Sequence, residues 1–434
     1  MTINKILLTA AILLGASMLQ SCLKDQEDVF DESPSLRMQA MLDDAKATLV
    51  SAPHGWALDY YPDSYLQYGG YAYTVKFDAS RATVGAEMKP GEFHTSLYRL
   101  HDDNGPVLSF DSYNDLMHYF ATPDSDHPHA YDGDFEFILM NVTDELITLR
   151  GKRTGNTMYM HRLARSAEDY LDDVVEMARD IFLPSLEGTV DGVSLTGTIA
   201  VDQRHMTLSW GTAPEESASE FFIPVPGGIR FLNPVVVAGD TVSSLEYSHR
   251  ELTFSSDPSA RVDIKLSYTV GEDYTLFEDY EGDYSLIYEN GDKSLDIQLV
   301  PDAANNCYLM KGLNPKYDVK VRYDRTLGCL NFTSQQIGTD MVGNDEVLIW
   351  FTGKEYGGKY SVNTECGVYA MKDLDNPGTY NFVPNTYPTV HANSFYICQI
   401  KSLLYEDNLD GDSPEAWHVN GSPDIKNIVA IRKK

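Results

Sequence analysis

The sequence predicts a mainly β protein with a few helices, and three observations carry that reading. Apolar residues alternate with period two through most of the chain, clusters of Gly, Asn, Asp and Pro separate the alternating runs, and only two stretches keep a sustained helical period. The expected arrangement is a β-rich, α+β domain at 36–270 with two or three helices, followed at 276–434 by an antiparallel barrel of lipocalin type or a sandwich.

The chain opens with Lys5, an apolar run from Ile6 to Leu19, and then Gln20, Ser21 and Cys22. One positive residue before a short apolar run is the pattern of a secretory signal, because a membrane span needs about 20 apolar residues. Residues 1–21 are therefore expected to be removed. Leu19 and Ser21 ahead of Cys22 resemble a bacterial lipobox, from which Gln20 departs, and the resemblance implies an acylated, palmitate-bearing Cys22 at the start of the mature protein. An ordinary cleaved signal followed by an accidental cysteine is the alternative. Residues 22–35 form an acidic tether with Asp25, Glu27, Asp28, Asp31 and Glu32, similar to the surface-export signal of Bacteroidetes lipoproteins, although a polar disordered linker has the same composition. The expected location is the outer membrane, facing the cell surface.

A first helix is predicted near 36–51, where Met38, Met41, Leu42, Ala45 and Leu49 share one face and Ser33-Pro34 begins it. Alternation then takes over. Trp56, Leu58 and Tyr60 oppose Ala57 and Asp59, and further strands are read at 71–77, 96–100, 135–140, 145–149 and 156–163. A short helix is expected from Tyr113 to Phe120, capped by Asp111 or Ser112. The clearest helix covers 166–183, with Ser166 and Asp169 as a capping box and Tyr170, Val174, Met177 and Ile181 as its stripe. Beyond it, strands are expected at 193–201, 206–210, 220–225, 228–232 and 251–254. From Asp283 a train of short strands begins with a hairpin at Asn290-Gly291.

Against 33 Lys and Arg stand 65 Asp and Glu, a formal charge of −32, which excludes partners bound through phosphate contacts such as nucleic acid. Cys307, Cys329, Cys366 and Cys398 lie near strands in a compartment that permits disulfides, and three pairings or four buried thiols are equally compatible with the sequence.

Gly55-Trp56, Tyr60-Tyr61, Gly69-Gly70-Tyr71, the run from Leu108 to Asn114, Asp132 to Phe137, Leu149 to Lys152 and Gly228 to Pro234 recur in order in a known family. On these motifs, roughly residues 36–240 resemble the Bacteroidetes lipoprotein family labelled domain of unknown function 4302. The resemblance implies a surface lipoprotein associated with SusC/SusD-like nutrient uptake systems, and it carries no established activity or catalytic residues.

Candidate site residues were weighed by chemistry. Asp124, Asp126, His127 and His129 offer imidazole and carboxylate ligands for a divalent metal, while a hydrated loop explains the same residues; no other cofactor is expected. Acidic clusters at 102–105, 278–283 and 406–412 suit calcium chemically but lack EF-hand spacing and fit turns. Trp56, Tyr61, Tyr65 and Tyr68 are candidate binders of sugar rings, since an aromatic side chain pairs an apolar face with a polar edge; packing on the first helix is the competing reading. Zincin, α/β-hydrolase, P-loop and Rossmann motifs are absent. The expected function is therefore non-enzymatic: a membrane-anchored surface lipoprotein that binds a glycan or peptide for an uptake complex. A hydrolase using paired carboxylates or the His/Asp loop, and a structural subunit of a surface lipoprotein complex, are the alternatives.

Overall fold

The computed structural model describes residues 33–125, 127–211, 216–342, 345–354, 360–361, 363–385, 392–401 and 416–434. Cys22, the tether up to Glu32, Asp126 and the acidic run 406–412 lie outside them. By packing, one compact unit gathers the chain up to Arg179 with 202–207 and 218–246; the other gathers 180–201, 208–217 and 247–434.

In the first unit, helix α1 (Pro34–Ser51) starts where the Ser33 hydroxyl accepts the Leu36 N–H and Pro34 presets the backbone of the first turn. Leu42, Ala45 and Leu49 are buried as the helical period predicts. Met38 is only half-buried and Met41 is exposed, because the helix rests on the sheet by its C-terminal turns. The nine strands are β1 (Trp56–Tyr60), β2 (Tyr71–Phe77), β3 (Arg81–Ala86), β4 (Phe93–Leu97), β5 (Arg99–Asp102), β6 (Pro106–Ser109), β7 (Glu136–Val142), β8 (Leu146–Gly151) and β9 (Thr157–Arg162). They form one antiparallel sheet in the order β4-β3-β2-β1-β9-β8-β7-β6-β5.

Strand β1 sits between β2 and β9, with Trp56 opposite both Val75 and Arg162, and all five of its residues are buried. Its two faces pack against different layers. Trp56, Leu58 and Tyr60 join Ala45 and Leu49 of α1 with Phe120 and Phe137. Ala57, followed by Tyr61, joins Tyr170, Leu171 and Val174 of helix α2 (Ala167–Arg179) and Ile223. The Ser166 hydroxyl accepts the Asp169 N–H, as the capping box predicts, and the helix ends at Arg179 rather than Leu183. The helix expected at 113–120 is replaced by a turn closed by Asn114, whose side-chain oxygen accepts the Leu116 and Met117 N–H groups. Only a short 3-10 segment, Tyr119–Ala121, follows. Asn114 thus caps a single turn, in which the His118 N–H also bonds the Asn114 carbonyl, and that turn does not extend into a helix.

Eight further strands, β10 (Ser185–Val190), β11 (Val193–Ala200), β12 (His205–Trp210), β13 (Glu216–Val225), β14 (Gly228–Val237), β15 (Asp240–Ser248), β16 (Thr253–Ser255) and β17 (Ile264–Tyr268), follow one another around a closed barrel. The β13–β14 turn is the expected one: Val225 pairs with Gly228, and Gly227 takes φ 75°, a conformation open to glycine.

In the second unit, β18 (Gly282–Tyr288), β19 (Lys293–Asp302), β20 (Cys307–Lys311), β21 (Val319–Asp324), β22 (Cys329–Thr333), β26 (Gly367–Lys372), β27 (Thr379–Pro384) and β30 (Ala430–Lys433) close a C-terminal barrel. The predicted barrel is therefore the form adopted, and Asn290 (φ 58°) lies in the first hairpin connection. Strands β23 (Gln335–Val342), β24 (Asp345–Lys354), β25 (Tyr360–Ser361), β28 (Phe395–Lys401) and β29 (Ala416–His418) form a separate sheet. Tyr280, Tyr284, Tyr308, Leu330, Phe332 and Ile431 fill the barrel core. The four cysteines are buried free thiols, and burial pushes Cys398 up to about 11 and Cys329 up to about 12, which suppresses the reactive thiolate.

Candidate functional site

The sequence candidates divide by burial. Trp56 is fully buried, donates its indole N–H to the Leu49 carbonyl, and has the Arg162 guanidinium over its ring at 5.0 Å. Tyr61 is also buried. Both rings are core, not binding surface, because β1 is covered on both faces and alternation turns neither side chain to solvent. Tyr65, by contrast, is 85% exposed, and Tyr68 is partly exposed on the same loop.

Tyr68 meets Tyr131 edge to face, with ring centroids 5.1 Å apart. Tyr131 in turn lies 4.1 Å from the His127 ring and 6.3 Å from Tyr119, whose plane is nearly parallel to its own. From the adjacent residue the patch continues: the His118 ring stacks on Phe135 at 4.6 Å and touches Tyr113 at 5.0 Å. Tyr113, Tyr119 and Phe135 are all exposed. Three chain segments thus bring five aromatic side chains and two imidazoles into two ring clusters of the first unit, which meet at the adjacent residues His118 and Tyr119.

Of the proposed metal ligands, Asp124 and His127 hold each other. Asp124 accepts the His127 backbone N–H at 2.6 Å and lies 3.2 Å from the His127 Nδ1. The Tyr131 hydroxyl contacts the same Nδ1 at 2.5 Å, and burial with the nearby Asp124 carboxylate pushes this phenol up to about 12. His129 is exposed and Asp126 lies outside the described residues. Among the described residues no group of three or more His, Cys, Asp or Glu is arranged to hold a metal ion. The loop instead fixes Tyr131. At 102–105 the carboxylates likewise serve a turn, with Asp102 accepting the Gly105 N–H and Asp103 paired to Lys152.

Beside Phe135 lies an open depression of ≈ 320 Å³ lined by Gly133, Asp134, Glu136, Lys152 and Arg153. Lys152 bridges Asp103 at 2.6 Å and Glu136 at 3.2 Å, and Arg153 pairs with Asp132. Buried Asp134 ties the walls together: its carboxylate accepts the Arg153 N–H at 2.6 Å and the Thr154 hydroxyl at 2.5 Å, while its carbonyl accepts the Tyr60 hydroxyl at 2.9 Å. Burial raises the Asp134 carboxyl against the lowering effect of those donors. Four of the quoted motifs meet here, since Ser109 donates to Glu136, Tyr60 reaches Asp134, and the 132–137 run faces Lys152.

Aromatic faces next to charged hydrogen-bonding edges suit a polyhydroxylated ligand, whose ring stacks while its hydroxyls bond the rim. The sequence reading missed Tyr113, Tyr119, Phe135, Lys152 and Arg153 as surface groups. A signal existed in that Lys152 ends one motif, with Arg153 next to it, and Phe135 lies inside another, but only pairing of β7 with β8 brings them together.

A family model described as a domain of unknown function, DUF4302, matches residues 26–249, and a second, DUF4987, also described as a domain of unknown function, matches residues 256–398. No curated protein matches the chain.

Proposed function

Because the chain belongs to the DUF4302 family, a domain of unknown function whose role has to be read from the residues themselves, we propose that it is a membrane-anchored surface lipoprotein that captures a glycan without transforming it. Capture would serve a nutrient-uptake complex of the SusC/SusD-like kind. The observation that supports this reading is the pair of surface aromatic clusters, Tyr68, Tyr131 and Tyr119 in one and Tyr113 and Phe135 around His118 in the other, with the Glu136, Lys152 and Arg153 depression beside Phe135. Stacking supplies affinity there, and the charged rim selects hydroxyl orientation.

The purified mature protein is expected to retain at least one polysaccharide from an array of host and dietary glycans. Tyr68→Ala combined with Phe135→Ala should weaken that binding about tenfold, equivalent to about 1.4 kcal/mol, with the fold intact by circular dichroism. Retention of peptide pools and of no glycan would overturn the proposal.

A further inference from the structure

We propose a second binding site, separate from the aromatic surface, on the outer face of the C-terminal barrel: a cationic groove that accepts the carboxylate of a uronic acid unit. The groove has a volume of ≈ 380 Å³ and is lined by Asn305, Asp318, Lys320, Arg322, Gln335 and Gln336, among others. Its size is within the range of small-ligand pockets, about 300–1,000 Å³.

Its lining carries two cations against one carboxylate. In a chain with formal charge −32, the cations Lys152, Arg153, Arg204, Arg230 and Arg325 each stand against a carboxylate. Lys320 and Arg322 do not: among the described residues no carboxylate comes within ion-pairing distance of either, although both act electrostatically on the Cys307 thiol in the groove wall. They are two apart on β21, so period-two geometry puts both on the outward face while Val319, Val321 and Tyr323 point into the barrel core. Arg322 contributes a planar fork that matches the two oxygens of a carboxylate, and Lys320 adds a point charge beside it.

The wall is held in place. Gln335 accepts the Lys320 backbone N–H at 2.9 Å and donates to the Lys320 carbonyl at 2.7 Å, which pins the start of β23 to β21. Gln335 is thus a positioning residue. Asp318 narrows the choice of ligand, since its carboxylate faces the same groove: it opposes a dianion such as phosphate but accepts hydrogen bonds from sugar hydroxyls. A polyhydroxylated monoanion satisfies both ends. Repulsion from the rest of the molecule does not prevent this, because exposed charges are screened over about 8 Å at physiological ionic strength.

Isothermal titration of the full mature chain with digalacturonate, galactobiose and inorganic phosphate tests the site. Digalacturonate is expected to bind saturably, at least tenfold tighter than galactobiose or phosphate. The Lys320→Gln, Arg322→Gln variant should lose at least tenfold in affinity at unchanged melting temperature, whereas Lys46→Gln, which removes an exposed cation of α1 outside the groove, should bind digalacturonate as the parent does. Absence of saturable binding, equal binding of galactobiose, tighter binding of phosphate, unchanged affinity in the double variant, or an equal loss in Lys46→Gln would each overturn it.

Discussion

At the scale of single residues, the buried pair Asp59–Arg230 is the most consequential polar contact in the first unit. Arg230 donates to both carboxylate oxygens, at 2.5 and 2.8 Å, and His161 lies 3.3 Å from one of them. Burial by itself would raise the Asp59 carboxyl, but the Arg230 charge, the His161 contact and the hydrogen bonds together hold it below its ordinary 3.8. A depressed folded-state pKa adds stability that is present above the unfolded value and is lost as pH falls through the lower folded one. Asp59→Ala leaves a guanidinium desolvated without a partner, so a loss of about 3 kcal/mol is expected in urea unfolding at neutral pH. Asp59→Leu with Arg230→Met should recover most of that loss, and the double variant should lack the parent's added destabilisation below pH 3.8. These roles were not legible in the sequence: Asp59 read only as alternating with Trp56, Leu58 and Tyr60, and Trp56 and Tyr61 as candidate binders. Alternation assigns a residue to a face, but it cannot say whether that face meets water or a second layer.

At the scale of elements, a charged junction within the second unit links Asp180, the connection between β15 and β16, the segment leading into β18, and Arg325. His249 lies 2.7 Å from Asp180 and 3.1 Å from Glu278, while Arg325 reaches Asp180 at 2.8 Å and Arg250 reaches Asp279 at 2.7 Å. Hydrogen bonding to Asp180, outweighing desolvation, pushes His249 up to about 9. Because the folded value lies above 6.5, the stabilisation is complete below pH 6.5 and disappears as pH rises through about 9. The parent's melting temperature is therefore expected to fall between pH 6.5 and 9 relative to His249→Gln, and parallel curves would refute the linkage. Elements with strong local signals were legible: α1, α2, the β13–β14 turn and the hairpin at Asn290. Strands β10, β15 and β17 were not recognised in advance, and without them the run at 193–254 could not be seen to close. Their pairing partners are distant in sequence, as with Leu186 and Tyr268. Closure of this kind has no local signature.

At the scale of the whole molecule, the proposed anchor is tested on cells. Cys22→Ala is expected to move the protein from the membrane fraction to the soluble one, and external protease should degrade the parent on intact cells. Continued membrane retention of the variant, or full protection of the parent, would overturn the lipoprotein and surface readings respectively. No helix among the described residues is long and apolar enough to cross a membrane, which says nothing of crossing by strands. Part of the acidity serves the backbone: Asp78, Asp257, Asp324 and Asp373 each accept backbone N–H groups in turns. By itself the sequence determined the β-rich class, both helices with their N-terminal caps, a C-terminal barrel or sandwich and the family, because period, capping and turn chemistry are local properties of neighbouring residues. Only the tertiary structure decided that the cysteines stay free, that Trp56 and Tyr61 are core, and that Tyr68, Tyr131 and Tyr119 form one surface cluster and Tyr113 and Phe135 another. Burial and juxtaposition depend on residues far apart in the chain, and strand pairing is what brings them within reach.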